Sequence, residues 1–144
     1  SKIPGKTKFI NHFLIDNCWH LVDLPGYGYA SVSKKTKNEF KRIIYAFFLK
    51  RLQLVNTFLL IDIRHSPQQN DIDFMNWLGI NHIPFSIVFT KADKISLVQS
   101  KKFVNKYFNF LIENYWDELP PYFVTSSKSK EGRKELISYI KKFI

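Results

Sequence analysis

Three short strings carry the side chains whose chemistry is easiest to name. Asp23-Leu24-Pro25-Gly26 is a D-x-x-G. A carboxylate at a strand end can hold a magnesium ion through water, and a glycine lets a backbone N–H approach a terminal phosphate oxygen with no Cβ in the way. Thr90-Lys91-Ala92-Asp93 is a T-K-x-D. Its aspartate can accept hydrogen bonds from the N1–H and exocyclic amine of guanine, a donor pair adenine lacks, while a lysine stem can lie across the base plane. Thr125-Ser126-Ser127-Lys128 offers small side chains, so backbone N–H groups can reach a guanine carbonyl. Taken singly, each string is an ordinary exposed loop or strand-end turn. Their order, each after an apolar run, makes the set far more specific than any member.

The elements that must position these strings follow from periodicity. Residues 8–15 and 19–23 are rich in aromatic and branched side chains and are separated by the turn pair Asp16-Asn17, which predicts an antiparallel hairpin. Residues 35–52 place Phe40, Ile43, Ile44, Phe47, Phe48 and Leu52 at helical spacing, so an amphipathic helix buries them. TFLLID at 57–62 and FSIVFT at 85–90 are nearly unbroken apolar runs, the pattern of strands covered on both faces. Helices are expected over 71–78 and over 98–116, the latter with Val104, Tyr107, Phe108, Leu111, Ile112 and Tyr115 on one stripe before Pro120-Pro121 stops it. A last buried strand at 122–126 and a helix at 131–143, with Leu136, Ile137, Ile140 and Phe143 inward, close the chain. This alternation predicts a three-layer α/β fold with a mainly parallel sheet and one antiparallel edge hairpin. Ligands of such folds bind beyond the carboxyl ends of the strands. There the order places Asp23 and Gly26, then Asp62, then Thr90, Lys91 and Asp93, then Ser126, Ser127 and Lys128.

The 144 residues include 22 Lys and Arg against 12 Asp and Glu, a formal net charge of +10. With 45% apolar and 24% charged residues the chain has an ordinary globular composition, against disorder or a collagen-like architecture. Lys outnumbers Arg 18 to 4. The excess therefore fits either docking on a phosphate backbone through the field alone, or solvated basic faces enlarged by codon bias toward AT-rich DNA. No apolar run approaches the roughly 18 residues that cross a bilayer and no signal-peptide pattern is present, so a cytoplasmic protein without a membrane partner is expected. Cys18, the one cysteine, excludes an intrachain disulfide and is expected to be partly buried. His12, His20 and His82 share no metal-ligand spacing, which argues against zinc.

Together, PGKTKFINHF, WHLVDLPGYGYA, IDIRHSP, TKAD and TSSK resemble the EngB family (also called YihA or YsxC), translational GTPases of the TRAFAC class that assist assembly of the large ribosomal subunit. The resemblance runs from Ser1 to Ile144, and DLPGYGYA with PGKT is its most specific part. It implies a P-loop GTPase (Ras-like) fold over a single domain, residues 1–144, with GTP or GDP as ligand and Mg2+ as cofactor. It places Pro4 to Thr7 in switch I, with Gly5 and Lys6 at the nucleotide and Thr7 as a direct magnesium ligand and γ-phosphate sensor. Asp23, a magnesium ligand through water, with Leu24, Pro25 and Gly26 would form switch II. Thr90, Lys91, Ala92 and Asp93 would read guanine, as would Thr125, Ser126 and Ser127. Asp62, Arg64 and His65 match the family's D-x-R-H segment and are expected to be structural. Tyr27 stands where Ras-like proteins carry the glutamine that orients the attacking water, so no catalytic residue is assigned and unaided hydrolysis is expected to be slow.

Only five glycines are present, at 5, 26, 28, 79 and 132, and none belongs to a G-x-x-x-x-G-K-[ST] phosphate loop. Gly5-Lys6-Thr7 is not its tail, because the interval from Thr7 to Asp23 holds two strands and a turn with no room for a further helix. The sequence is thus expected to begin inside the domain, with the first strand, phosphate loop and first helix absent. The expected function is a GTP-binding switch with slow hydrolysis, acting as a monomer on the large ribosomal subunit or its precursor, through ribosomal RNA and proteins. Lys34, Lys35 and Lys37 beside switch II are candidates for that contact. The alternative is a basic RNA-binding or scaffold module that keeps the fold without effective nucleotide binding.

Overall fold

A computed structural model describes residues 9–26 and 34–144, the side chains of residues 34–37 and 40 excepted. Gly5, Lys6, Thr7 and Tyr27, with the side chains of Lys34, Lys35, Lys37 and Phe40, therefore lie outside the described residues. The chain divides into two compact units, one reaching to Leu54 and the other spanning Val55–Phe143.

In the first unit, β1 (Asn11–Ile15) and β2 (Trp19–Asp23) pair antiparallel from Asn11↔Asp23 to Ile15↔Trp19. Asp16 and Asn17 both take positive φ, 49° and 51°, and the Cys18 N–H donates to the Ile15 carbonyl, closing a turn with the twist a hairpin requires. Cys18 sits in that turn and is exposed, not partly buried as expected. Helix α1 (Lys34–Lys50) buries Ile44, Phe47 and Phe48. The His12 ring lies 6.2 Å from that of Phe47, and the Arg51 guanidinium covers Phe47 at 5.3 Å. Two members of the expected stripe depart from it. Ile43 is on the helix's exposed side, and Leu52 lies beyond the helix end, almost wholly exposed.

The second unit is built on a parallel sheet ordered β3 (Thr57–Asp62), β4 (Phe85–Thr90), β5 (Tyr122–Val124). Both long strands coincide with the apolar runs that predict them. β4 lies between its neighbours, and Ser86 to Phe89 are all buried. β3 buries Leu59 and Ile61 on one face, while Leu60 on the other is exposed, so among the described residues only one face of this strand is covered and not the two expected. β5 is shorter than expected and Tyr122 at its start is exposed: Thr125 still donates its N–H to the Phe89 carbonyl, but the Ser126 N–H turns to the Glu131 carbonyl.

Helix α2 (Gln69–Ile80) continues through Gly79 and ends in a Schellman arrangement. His82 takes φ 55°, with its N–H on the Gly79 carbonyl and that of Ile83 on the Leu78 carbonyl. Helix α3 (Leu97–Asn114) starts at a capping box in which Ser96 accepts from the Gln99 N–H and the Gln99 side chain accepts from the Ser96 N–H. Its stripe buries Val104, Tyr107, Phe108 and Leu111, whereas Ile112 and Tyr115 at the expected stripe's edge are exposed. Tyr107 and Phe108 meet the Phe89 ring edge-on at 5.2 and 5.7 Å, which locks α3 to the central strand. Helix α4 (Arg133–Ile140) buries none of its residues fully; Leu136 and Ile140 are half-buried, Ile137 and Phe143 exposed. No helix among the described residues is long and apolar enough to cross a membrane.

Candidate functional site

The second unit brings two of the three strings together at the carboxyl edge of its sheet. The Thr90 carbonyl, at the end of β4, accepts from the Ile63 N–H, and the Thr90 hydroxyl donates to the Ile61 carbonyl. The Ala92 N–H donates to the Thr125 carbonyl, and the Thr125 hydroxyl donates to the Phe89 carbonyl. T-K-x-D and T-S-S-K are thereby stitched to each other through main chain. Lys91 takes φ 63°, a left-handed conformation uncommon for a residue with a Cβ, before the 3-10 turn at Ala92–Lys94.

Two carboxylates lie on this edge, on opposite flanks of β4. Toward β5, Asp93 Oδ1 accepts from the Ser126 hydroxyl at 2.6 Å, and Lys94 Nζ lies 3.4 Å from Oδ2. Ser126 is itself buried, and its Oγ also accepts the N–H groups of Lys128 and Ser129 at 3.2 and 3.1 Å. The Ser126 hydrogen bond, aided by Lys94, holds the Asp93 carboxyl below the ordinary carboxylate range. Asp93 is thus ionised, acceptor-only and fixed in orientation, while a carboxylate's four or so lone-pair sites leave room for further donors.

Toward β3, Asp62 gathers two cationic side chains and an imidazole. Arg64 engages it as a fork, Nε to Oδ1 at 2.9 Å and Nη2 to Oδ2 at 2.7 Å, and the Arg64 N–H adds a bond to Oδ1. Lys91 Nζ reaches Oδ2 at 2.8 Å, and His65 Nε2 stands 3.9 Å away. The Arg64 hydrogen bonds, reinforced by Lys91, hold the Asp62 carboxyl far below its ordinary value against the opposing effect of partial burial. Arg64 is correspondingly raised. The sequence reading of this segment did not include its link to Lys91. The signal lay in the β3–β4 register: two six-residue runs of equal length align Asp62 with Thr90, one residue before the lysine.

The third string belongs to the first unit. Asp23 closes β2, with Leu24 half-buried, Pro25 buried and Gly26 half-buried after it. Asp23 is an exposed oxygen donor, chemically suited to a hard cation that takes few protein ligands and the rest from phosphate and water. Among the described residues no three His, Cys, Asp or Glu side chains converge on a metal-sized site.

No protein-family model matches the chain. Curated relatives do. A protein of Christiangramia forsetii named "Probable GTP-binding protein EngB" is 55% identical over 137 residues, 95% of this chain and 69% of that one. A protein of Porphyromonas gingivalis bearing the same name is 54% identical over 140 residues, 97% of this chain and 69% of its own. Among solved structures, one described as a probable GTP-binding protein engB superposes with a TM-score of 0.71 at 21% identity, covering all of this chain and 86% of its own. Elongation factor SelB of Methanococcus maripaludis, with the GTP analogue GppNHp, gives 0.68 at 17% identity over 94% of this chain and 27% of its own.

Proposed function

The chain belongs to the EngB family of GTP-binding proteins and has the P-loop GTPase fold, and from that premise we propose that it is a guanine-nucleotide switch that hydrolyses GTP slowly and acts in assembly of the large ribosomal subunit. The observation that carries the nucleotide half is the Ser126–Asp93 hydrogen bond at 2.6 Å. It aims an ionised carboxylate at the ligand edge, where the N1–H and amine of guanine donate to it. Adenine would place a lone pair and a C–H there instead. With the N–H groups of Ser126, Lys128 and Ser129 engaged inside their loop, the Ser127 N–H is the donor assigned to the guanine carbonyl.

Thr7 and Asp23 are the residues assigned to Mg2+. When bound, the ion neutralises charge on the phosphate oxygens. Gly5, Lys6 and Leu24 to Gly26 line the phosphate side in this proposal, so loss of the γ-phosphate releases the segments on either side of the hairpin. Tyr27 offers the attacking water no amide acceptor, so the unaided rate is low and a partner or a monovalent cation raises it. Rapid GTP turnover by the isolated full-length protein would contradict this.

The net charge of +10 supports a ribosomal RNA partner, with Lys34, Lys35 and Lys37 as the contact. Reversing all three to Glu is expected to abolish salt-sensitive co-sedimentation of the GTP form with large-subunit particles, and unchanged co-sedimentation would contradict the assignment. For the nucleotide, titration of fluorescent GDP, GTP and ADP analogues onto the full-length protein tests the proposal. Guanine-selective binding is expected. Absence of binding would favour the scaffold module.

A further inference from the structure

The two flanks of β4 hold different carboxylates in different ways. Asp93 leans toward β5 and Ser126, the side on which the proposed function sets the edge of a guanine. Lys91 goes the other way: its ammonium lies 2.8 Å from Asp62 Oδ2, so its stem runs along the carboxyl edge of the sheet from the end of β4 to the end of β3. The anchor is itself immobilised. Arg64 grips both Asp62 oxygens through its guanidinium and one through its N–H, and the Asp62 side chain is only 15% exposed while that of Lys91 is 52% exposed. A free lysine stem in a loop samples many rotamers, and freezing it on ligand binding costs conformational entropy. A stem tethered at both ends, by its left-handed backbone and by Asp62, has that cost already met.

We infer that Asp62 is a positioning residue for nucleotide binding: held by Arg64, it tethers the Lys91 ammonium so that the lysine stem is pre-set as a platform under the base. This rests on the guanine-nucleotide binding proposed above. Asp62 touches no part of the nucleotide and acts only through Lys91. It therefore governs how tightly any purine is held, and not which purine is chosen, a choice that belongs to Asp93.

The test measures the Kd for GDP and for IDP, which lacks the exocyclic amine, in the full-length wild type, D62N, K91M and the double variant, with thermal melts to confirm folding. D62N is expected to weaken both ligands by the same factor, about fivefold as fits a half-exposed ion pair. The GDP-to-IDP ratio stays at the wild-type value. Adding D62N to K91M is expected to cost nothing further, since the two act as one unit. Wild-type affinity in D62N overturns the inference, and so does a collapsed GDP-to-IDP ratio, which would mean general disorder of the loops. If D62N does not fold, NMR of the lysine ammonium groups in the wild type reads the pair directly. A Lys91 ammonium with slowed hydrogen exchange is expected, and one that exchanges as freely as the other lysines overturns the inference. Absence of GDP binding by the wild type defeats the proposed function itself, whereas GDP binding with an indifferent Asp62 defeats only this inference.

Discussion

β2 and β4 each lead into a residue assigned to the nucleotide, Asp23 in one and Asp93 in the other, yet the two strands are held in opposite ways. β4 is paired on both sides and buries four consecutive residues, Ser86 to Phe89, with Ile87 fully enclosed. β2 belongs to a two-stranded ribbon in which His12, Phe13, Leu14, His20 and Leu21 are all exposed. Such a ribbon alone is marginally stable, whereas a strand sealed by aromatic contacts from α3 is not. The T-K-x-D and T-S-S-K loops therefore inherit the rigidity of a core, and the residues after β2 inherit the softness of a hairpin. Under the proposed function that partition suits a switch: the element assigned to the base stays fixed in both states, and the element assigned to the γ-phosphate rearranges at low cost.

The largest effect that sharpens the contrast is in β4. Ile87→Ala is expected to destabilise the full-length protein by about 3–4 kcal/mol in denaturant unfolding, since it empties volume that nothing nearby can fill. Gly132→Ala comes next. Gly132 stands at φ 69° at the start of α4, and a Cβ there would overlap the Val124 carbonyl oxygen at the end of β5. About 2–3 kcal/mol of destabilisation is expected, together with weaker guanine binding, because the loop from Thr125 to Lys128 would have to shift.

Ser126→Ala is expected to cost about 1 kcal/mol at pH 7, by leaving the Lys128 and Ser129 N–H groups without their acceptor. It also carries a pH signature. Asp93 is depressed in the folded protein, so its contribution is present above the unfolded value near 3.9 and is lost as pH falls through the folded value. Removing the hydroxyl lets the Asp93 carboxyl rise toward its ordinary value. The stability gap between wild type and variant should therefore narrow between pH 7 and pH 3. Leu14→Ala, on the exposed hairpin, should cost less than about 0.5 kcal/mol. A cost comparable to that at Ile87 would mean that the hairpin is packed as firmly as β4.

Much of this was legible in the chain itself. TFLLID and FSIVFT mark their strands to the residue, because an unbroken apolar run has few other stable uses in a globular domain. Helix α3 begins one residue ahead of the expected start, at a capping box of Ser96 and Gln99 that the apolar stripe alone does not report. Less legible were the outer elements. α4 has an apolar stripe but leaves Ile137 and Phe143 exposed, because periodicity reports which residues share a face and not whether anything packs on it. Asp62–Lys91 and Asp93–Ser126 were hidden for a different reason. Partners about thirty residues apart meet only because parallel strands of matched register set their ends side by side. T-K-x-D and T-S-S-K name the chemistry, and the sheet supplies the geometry that joins them.

The proposed selection of guanine by a fixed Asp93 carboxylate is open to a direct probe in Asp93→Asn. Asparagine presents one acceptor and one donor where aspartate presents two acceptors, which matches the N1–H and C2 carbonyl of xanthine in place of the N1–H and amine of guanine. Titrating GDP and XDP onto the full-length wild type and variant should show at least about a hundredfold loss for GDP, in line with a site left holding mismatched polar groups, and a gain for XDP. Unchanged GDP affinity in a folded Asp93→Asn protein would show that Asp93 does not read the base.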